Sequence, residues 1–344
     1  MSSPEDGRAR PRRVLVVLAF LAFCRGASSS PTPTHLPLVL VADVPLPGKA
    51  ARFDYQDIDS TRKRLFITHM NDASVVVAST VDGSLIKLIA GIPTPRGVVV
   101  AEDAKRVFIT SSPNELVVID SESLKELGRV ATGRSPDGVA WDSEHRIVGV
   151  SDQRDGALSL IVDSGMGARK QVALGRETGN VVFDARRSSF WITVVTAAGP
   201  DRLISVDPLT AKVVATIPIP GCSSAHGLRI HPDGKSALIA CEGNSKLARV
   251  ELDGQHGVAF APTGSTPDVL AIDAGLGLLY VAAESGDLRV FDLTKAGVVS
   301  VGRERPGPAS HSVAVDAVTH HVFFPLAVGP HGTPVLRIMR PVGI

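Results

Sequence analysis

Short apolar runs alternate with turns rich in Gly, Pro, Asp and Ser along most of this chain, and two of the runs are nearly identical. RLFIT at 64–68 and RVFIT at 106–110 lie 42 residues apart. A second apolar segment recurs at about the same spacing. It begins with a polar or small residue and ends with Asp in most copies. Its seven copies are DYQDID (54–59), RGVVVA (96–101), DGVAWD (137–142), GNVVFD (179–184), HGLRIH (226–231), DVLAID (268–273) and HSVAVD (311–316). Successive copies begin 42, 41, 42, 47, 42 and 43 residues apart, and this period predicts a propeller or a solenoid.

Each repeat contains four candidate strands separated by turn residues. A polar turn such as DSTRK, DSEHR or HPDGK follows the first strand, and strands like RLFIT and SVVVAS come next. The fourth strand runs into glycine, as in SLIKLIAG. Short β-branched strands in units of about 42 residues predict the blades of a β-propeller.

The ring is predicted to be closed by the beginning of the chain. Six full units occupy roughly 54–310, whereas the seventh, 311–340, contains only three strands. The segment LPLVLVADVPLPG (36–48) resembles the missing fourth strand. Pairing it with the last blade removes an open sheet edge. We therefore expect an all-β, seven-bladed propeller closed by an N-terminal strand, with residues 36–344 forming a single domain.

The first residues have the layout of a signal peptide. Arginines at 8–13 precede the apolar run VLVVLAFLAF (14–23), and small residues follow it. Ten apolar residues are too few to span a bilayer, so no transmembrane segment is expected in the mature chain. We assign 1–28 to a signal peptide and 29–35 to a Pro/Ser/Thr-rich linker, which predicts a periplasmic or secreted protein. The cleavage site and a lipid anchor at Cys24 remain open.

The overall charge excludes a global attraction to polyanions. The formal net charge is +1, and no stripe of Lys and Arg accompanies the strands. Binding to nucleic acid or to anionic lipid would need such a field, so neither is favoured. We expect a monomer whose partner is an unknown small ligand or another protein.

RLFITHMNDASVVVAS resembles the strand–turn–strand consensus of the YVTN repeats, and the resemblance covers about residues 36–340. RFDYQDID (52–59) and the GCSSAHGL…ALIACEGN stretch are similar to the YncE-like exported bacterial members of that family. The resemblance implies a periplasmic or secreted seven-bladed propeller. Some relatives are described as DNA-binding, which the near-neutral charge of this chain does not support. The family indicates the fold far better than the function.

Polar residues of several blades are predicted to converge at one mouth of the central channel. The start of each innermost strand and the turn after the second strand share that face, where binding sites of propellers are expected. A wet channel tolerates polar residues without any function, and this alternative stays open. The candidate ligand-binding residues at the channel rim are Asp54, Arg96, Asp137, His226, Glu242, Asp268, Glu284 and His311.

Two functions from different classes fit these residues. No catalytic motif is recognisable, so the first is a binding scaffold that presents its channel and top-face loops to a small ligand or a protein. The alternative is a metal-assisted lyase or hydrolase that uses the His/Glu cluster of blades 5–7. Imidazoles and carboxylates can hold a divalent metal, and His226, Glu284 and His311 are the candidate ligands. Whether a metal is bound, and whether the chain is an enzyme, stays open.

The other recurring polar residues are expected at the opposite face, where the first strand turns into the second. His145, His231, His320 and His321 belong there, together with Asp59, Asp142, Asp184, Asp273 and Asp316. Side chains of Asp readily accept hydrogen bonds from the backbone of a tight turn. Turn capping therefore explains these aspartates better than catalysis does.

Two cysteines remain after the leader. Cys222 lies just before the innermost strand of blade 5, and Cys241 ends the strand expected to pair with it. A Cys222–Cys241 disulfide is thus plausible in an oxidising compartment and would fix the loop that carries His226. Two free thiols are the alternative.

Overall fold

The computed structural model describes Met1, residues 38–162 and residues 166–342. The predicted signal peptide beyond Met1, the linker and Cys24 lie outside the described residues. In the part of the chain that is described, no helix has the length and apolar character needed to cross a membrane.

In the described residues, twenty-eight strands form seven antiparallel sheets of four strands, which confirms the predicted seven-bladed propeller. Blades 1 to 3 contain β2 Gln56–Asp59, β3 Arg64–His69, β4 Ser74–Ser79, β5 Leu85–Ala90, β6 Pro95–Ala101, β7 Arg106–Ser111, β8 Glu115–Asp120, β9 Glu126–Ala131, β10 Pro136–Asp142, β11 Ile147–Asp152, β12 Ala157–Ile161 and β13 Arg169–Ala173. Blades 4 to 6 contain β14 Glu177–Asp184, β15 Ser189–Val195, β16 Arg202–Asp207, β17 Lys212–Pro218, β18 Ala225–Ile230, β19 Ser236–Cys241, β20 Lys246–Glu251, β21 Val258–Pro262, β22 Pro267–Asp273, β23 Leu278–Ala283, β24 Leu288–Asp292 and β25 Val299–Glu304.

The seventh blade combines both ends of the described chain. Strand β1, Leu38–Pro45, pairs with β28, Val335–Pro341, and the blade continues through β27, Val322–Leu326, to β26, Ala314–Val315. The first strand of each blade packs against the first strand of the next, and β26 packs against β2. The ring therefore closes as the missing strand of the last repeat predicted.

The hydrophobic core lies between neighbouring blades. Phe108 of blade 2 stacks on Trp141 of blade 3 with ring centroids 5.4 Å apart. In blade 3, Gly149 leaves room for the next blade, because a Cβ at that position would lie 2.8 Å from the ring of Phe190. Burial of such aromatic side chains supplies much of the free energy that holds blades together.

Five innermost strands carry a β-bulge at the same place. In each, two residues lie opposite one residue of the second strand; the bulged pairs are 96–97, 137–138, 179–180, 226–227 and 268–269. A bulge bends its strand and redirects a side chain. The bulges lie at the channel mouth and contain four of the predicted rim residues.

Buried threonines connect each of three bulges to the preceding blade. Thr68 donates from Oγ1 to the carbonyl oxygen of Arg96 at 2.8 Å. Oγ1 of Thr110 donates to the backbone carbonyl oxygen of Asp137 at 2.6 Å, and Oγ1 of Thr193 donates to that of His226 at 2.7 Å. Thr68 and Thr110 are the last residues of the two repeated strands RLFIT and RVFIT. The repeated threonine thus fixes the backbone of the next blade's rim residue.

The aspartates at the opposite face cap turns, as predicted. Asp142 accepts hydrogen bonds from the backbone amides of Glu144 and His145 at 3.0 and 3.1 Å. Asp59, Asp184, Asp273 and Asp316 accept equivalent bonds from the turns that follow them. His145 and His320 hydrogen-bond to these caps, so they support turns rather than a site.

Replacing Thr110 by Val should lower the free energy of unfolding by about 1–3 kcal/mol, because the buried carbonyl of Asp137 and the amide of Gly97 both lose their partner. Thr110→Ser keeps the hydroxyl and is the matched control. Urea denaturation of both variants measures the difference. Equal stability of the two variants would show that the interblade hydrogen bond contributes nothing.

Candidate functional site

A polar cavity of about 170 Å³ lies at the predicted mouth of the channel. Its walls come from the innermost strands of blades 1, 2, 3, 5 and 6 and from the turns after the second strands. Two of those turns are short 3₁₀-helices, Gln153–Asp155 and Glu242–Asn244. The lining side chains are Arg52, Asp54, Tyr55, Arg96, Asp137, Gln153, His226, Glu242, Thr266, Asp268 and Glu284.

Asp137 is the most deeply buried carboxylate of the cavity and lies between two cationic side chains. Its Oδ1 is 3.3 Å from Nε of Arg96, and its Oδ2 is 3.2 Å from Nε2 of His226. Burial would raise the pKa of Asp137, but Arg96 and His226 together hold it at about 2. Asp137 is therefore ionised throughout the neutral range.

Arg52 joins the acidic side chains on the other side of the cavity. Its Nη2 lies 2.7 Å from Oε1 of Glu284, 3.8 Å from Asp54 and 3.9 Å from Asp268. Burial raises the pKa of Glu284, but the hydrogen bond from Arg52 and the charges of His311, Arg52 and His226 together outweigh burial and lower it. Glu284 thus has a fixed cationic partner.

His311 lies beside the cavity, next to the carboxylates of Asp54 and Glu284. Its Nε2 lies 3.6 Å from Asp54, and its Nδ1 lies 3.8 Å from Glu284 and 3.2 Å from the carbonyl oxygen of Ala309. Burial lowers the pKa of His311, whereas Asp54 and Asp268 raise it by a larger amount. The imidazolium form of His311 therefore persists to a higher pH than that of an exposed histidine.

His226 and Glu242 form the most perturbed pair. Burial opposes protonation of His226, but Asp137, Glu242 and Asp268 raise its pKa to about 10. Nδ1 of His226 is 3.8 Å from Glu242, which has no arginine partner among the described residues. Burial raises the pKa of Glu242 to about 7, since His226 offsets the penalty only partly. Glu242 is the carboxylate with the weakest cationic support.

A hydrogen-bonded layer of Tyr55 and Asn180 forms the bottom of this cavity. Asn180 donates to the Tyr55 hydroxyl at 2.7 Å, and the hydroxyl donates to Asp268 at 3.2 Å. Gly138 permits this arrangement, because a Cβ there would lie 2.6 Å from Oδ1 of Asn180. Burial raises the pKa of Tyr55 well above its usual value, so Tyr55 stays a hydrogen-bond donor.

All eight rim residues predicted from the sequence lie in one group. Seven line the cavity, and His311 contacts it through Asp54 and Glu284. Four further residues of the site were not predicted from the sequence: Arg52, Tyr55, Gln153 and Asn180. Arg52 precedes the repeat unit, and Tyr55 and Asn180 occupy its second position, where three other blades have Gly. A large polar residue at a position that is Gly in three other blades is the feature of the sequence that could have indicated Tyr55 and Asn180.

Two sets of side chains have ligand atoms close enough for a metal ion. They are His226, Glu242 and Asp268 on one side, and Asp54, Asp268 and His311 on the other, with ligand atoms within 4.8 Å of one another. Each set contains one of the two candidate histidines. Glu284 lies instead against Arg52 and His311.

Cys222 and Cys241 form the predicted disulfide, with Cα atoms 5.3 Å apart. Cys241 ends strand β19, and Ala225 at the start of β18 lies opposite it. The bridge therefore anchors the loop directly before His226 and the turn that carries Glu242.

Comparison with known proteins supports the fold. Hydrazine synthase from Kuenenia stuttgartiensis is similar over 87% of this chain and 98% of its own, with a TM-score of 0.73 and 16% sequence identity. No family model matches the chain, and no curated protein matches its sequence. At that identity the similarity shows a shared propeller architecture and carries no information on activity.

His226 should remain protonated at pH 8, because its raised pKa lies near 10. The stabilisation from its carboxylate partners should be complete below the unfolded pKa of about 6.5 and disappear as the pH rises through the folded value. NMR titration of the ring in protein labelled at histidine measures this directly, with His226→Gln to assign the signal. Titration of that signal near pH 6.5 would contradict the account of the site.

Proposed function

We propose that this chain is an exported binding protein that holds a small organic cation at the top mouth of its channel. The observation that carries the proposal is the charge of the site. Five carboxylates lie beside two arginines and two histidines. With all five carboxylates ionised and both imidazoles protonated the balance is 4 − 5 = −1. A neutral imidazole makes it more negative, whereas protonation of Glu242, whose pKa is about 7, brings it to 0, so the site attracts a cation above that pH.

The site also has unused hydrogen-bond acceptors. Both carboxylate oxygens of Asp137 and Oδ2 of Asp54 are buried and lie 3.2–3.5 Å from nitrogen atoms of Arg96 or His226, but they have no hydrogen bond of good geometry among the described residues. Buried acceptors without donors are costly, so a ligand that brings N–H groups would stabilise them. An ammonium or guanidinium group supplies both the missing charge and the missing donors.

An organic cation suits the site better than a metal. In the set of Asp54, Asp268 and His311, the guanidinium of Arg52 already lies within 4 Å of both carboxylates. In the other set, a metal would have to displace a proton from His226. The lyase or hydrolase alternative gains no support from the comparisons or from this geometry, and it stays a prediction.

Export and family are part of the proposal. The basic, apolar and small-residue order of the leader supports export, and the Cys222–Cys241 disulfide is consistent with an oxidising compartment. The repeat consensus supports a place among the exported YVTN-repeat propellers.

Calorimetric titration with putrescine at pH 7.5 tests the binding role. The wild-type protein should bind one molecule, and Glu242→Gln should weaken binding at least about tenfold, because an N–H donor loses an ionised partner. Glu251→Gln, an exposed carboxylate on the same blade, should leave binding unchanged.

Three outcomes would contradict the proposal. They are no heat with putrescine or guanidinium, equal binding by Glu242→Gln, and an equal loss in Glu251→Gln. Stoichiometric Zn²⁺ binding by a protein that ignores both amines would favour the metal site instead. Melting curves of each variant confirm that it is folded before titration.

A further inference from the structure

The lower half of the channel is chemically unlike its upper mouth. A cavity of about 400 Å³ lies beneath the Tyr55–Asn180 layer, and a second of about 150 Å³ adjoins it. Tyr55 lines both the upper cavity and the larger lower one, so it separates the two. The two lower cavities share Gln56, Asp57 and Arg229, so we treat them together as the lower chamber.

The fourth residue of each of the seven repeated segments that begin at 54, 96, 137, 179, 226, 268 and 311 lines the lower chamber. Five of these seven residues are apolar, and the other two are Asp57 and Arg229; the apolar ones are Val99, Ala140, Val182, Ala271 and Ala314. Trp141 and Phe183 add aromatic surface to the wall. A concave apolar site with a few polar groups is the common form of a small-molecule site.

Arg229 is a cation without an anionic partner in this apolar surrounding. Its Nη1 donates to the carbonyl oxygen of Leu228 at 2.9 Å, and within the described part of the chain it forms no ion pair. Burial lowers the pKa of Arg229, with Asp57 opposing this shift only by long-range attraction. A guanidinium presents five donors, so most of its hydrogen-bonding capacity remains for a ligand.

Gln56 gives an independent indication of a ligand. Its side chain is 6% exposed, and its amide nitrogen donates to Ser312 at 3.0 Å. Its Oε1 is buried and has no hydrogen-bond partner among the described residues. A buried acceptor that lines both lower cavities is suited to a donor carried by the occupant.

Asp57 limits the charge that the chamber can accept. Its Oδ2 accepts a hydrogen bond from the amide of Val100 at 2.7 Å. Burial raises the pKa of Asp57 to about 6, although this amide and that of Ile58 partly offset the rise. Asp57 is mostly ionised above about pH 6 and offsets part of the positive charge of Arg229, so the chamber suits a single negative charge and disfavours a dianion.

We propose that the lower chamber is a second binding site, which takes a small monocarboxylate with an apolar or aromatic body. The carboxylate would pair with Arg229, the body would lie against the apolar walls, and a hydroxyl group on the body would donate to Oε1 of Gln56. A ligand without that hydroxyl would still make the first two contacts. This site is separate from the cation site above the Tyr55–Asn180 layer and does not depend on it.

Benzoate is a suitable probe, with benzylamine as the cation of the same shape. Calorimetric titration should show binding of benzoate and none of benzylamine at this site. Arg229→Gln should weaken benzoate binding at least about tenfold, because the charge-assisted hydrogen bonds are lost. Arg340→Gln removes an exposed arginine of blade 7 and should change nothing.

Two further variants keep the test decisive. Arg229→Lys retains the charge and should retain measurable benzoate binding, even if Arg229→Gln does not fold. Asp57→Asn removes the neighbouring negative charge and should tighten binding about threefold. Glu242→Gln, which alters the upper cavity, should leave benzoate affinity unchanged.

The proposal is overturned if benzoate fails to bind, or if it binds equally well to Arg229→Gln. Equal losses in Arg229→Gln and Arg340→Gln would also overturn it, since they would indicate non-specific attraction to surface charge. Competition between putrescine and benzoate would show one shared site rather than two.

Discussion

The structure depends on the hydrogen bond from the end of one blade's second strand to the bulge of the next blade. Thr68, Thr110 and Thr193 connect consecutive blades where the innermost strand turns its side chains into the channel mouth. Because these bonds are buried, the three blades that carry them position the rim residues Arg96, Asp137 and His226 of their neighbours. The near-identity of RLFIT and RVFIT therefore reflects a constraint on the site as well as on the strand.

This constraint explains how so many charges can share a small volume. Ion pairs in a low-dielectric site are favourable only when their geometry is held and their partners are satisfied. Asp137 has two close cationic partners, Arg96 and His226, whereas Glu242 has only His226 at 3.8 Å. The least neutralised carboxylate is thus at the rim. Below the Tyr55–Asn180 layer, Arg229 is a cation that forms no ion pair with any described residue.

Much of the fold could be predicted because every blade is built from the same arrangement of four strands and turns, with the same kinds of residue at corresponding positions. The period identified seven blades, the shortened last repeat identified the closing strand, and the recurring Asp identified the capped turns. The same register placed the rim residues from His226 to His311 on one face and brought Cys222 near Cys241. Each of these predictions rests on residues that occupy the same position in successive repeats.

The rest could not be predicted because it depends on departures from the repeat. Arg52 lies before the first unit, and its partner Glu284 is more than 200 residues away in sequence. Tyr55 occupies a position where three other blades have Gly. The carboxylate that lacks a close cationic partner is determined by distances across the ring, and the repeat period does not encode these distances. Export and the family remain predictions from the sequence, and the ligand is a proposal from the geometry of the site.

The most direct test of the central claim is a crystal structure of the protein soaked at pH 7.5 in guanidinium chloride. The account predicts one ordered guanidinium in the upper cavity, in contact with Glu242 and Asp268, and none in the lower chamber beside Arg229. An anion in the upper cavity, or guanidinium bound only on the outer surface, would contradict the account.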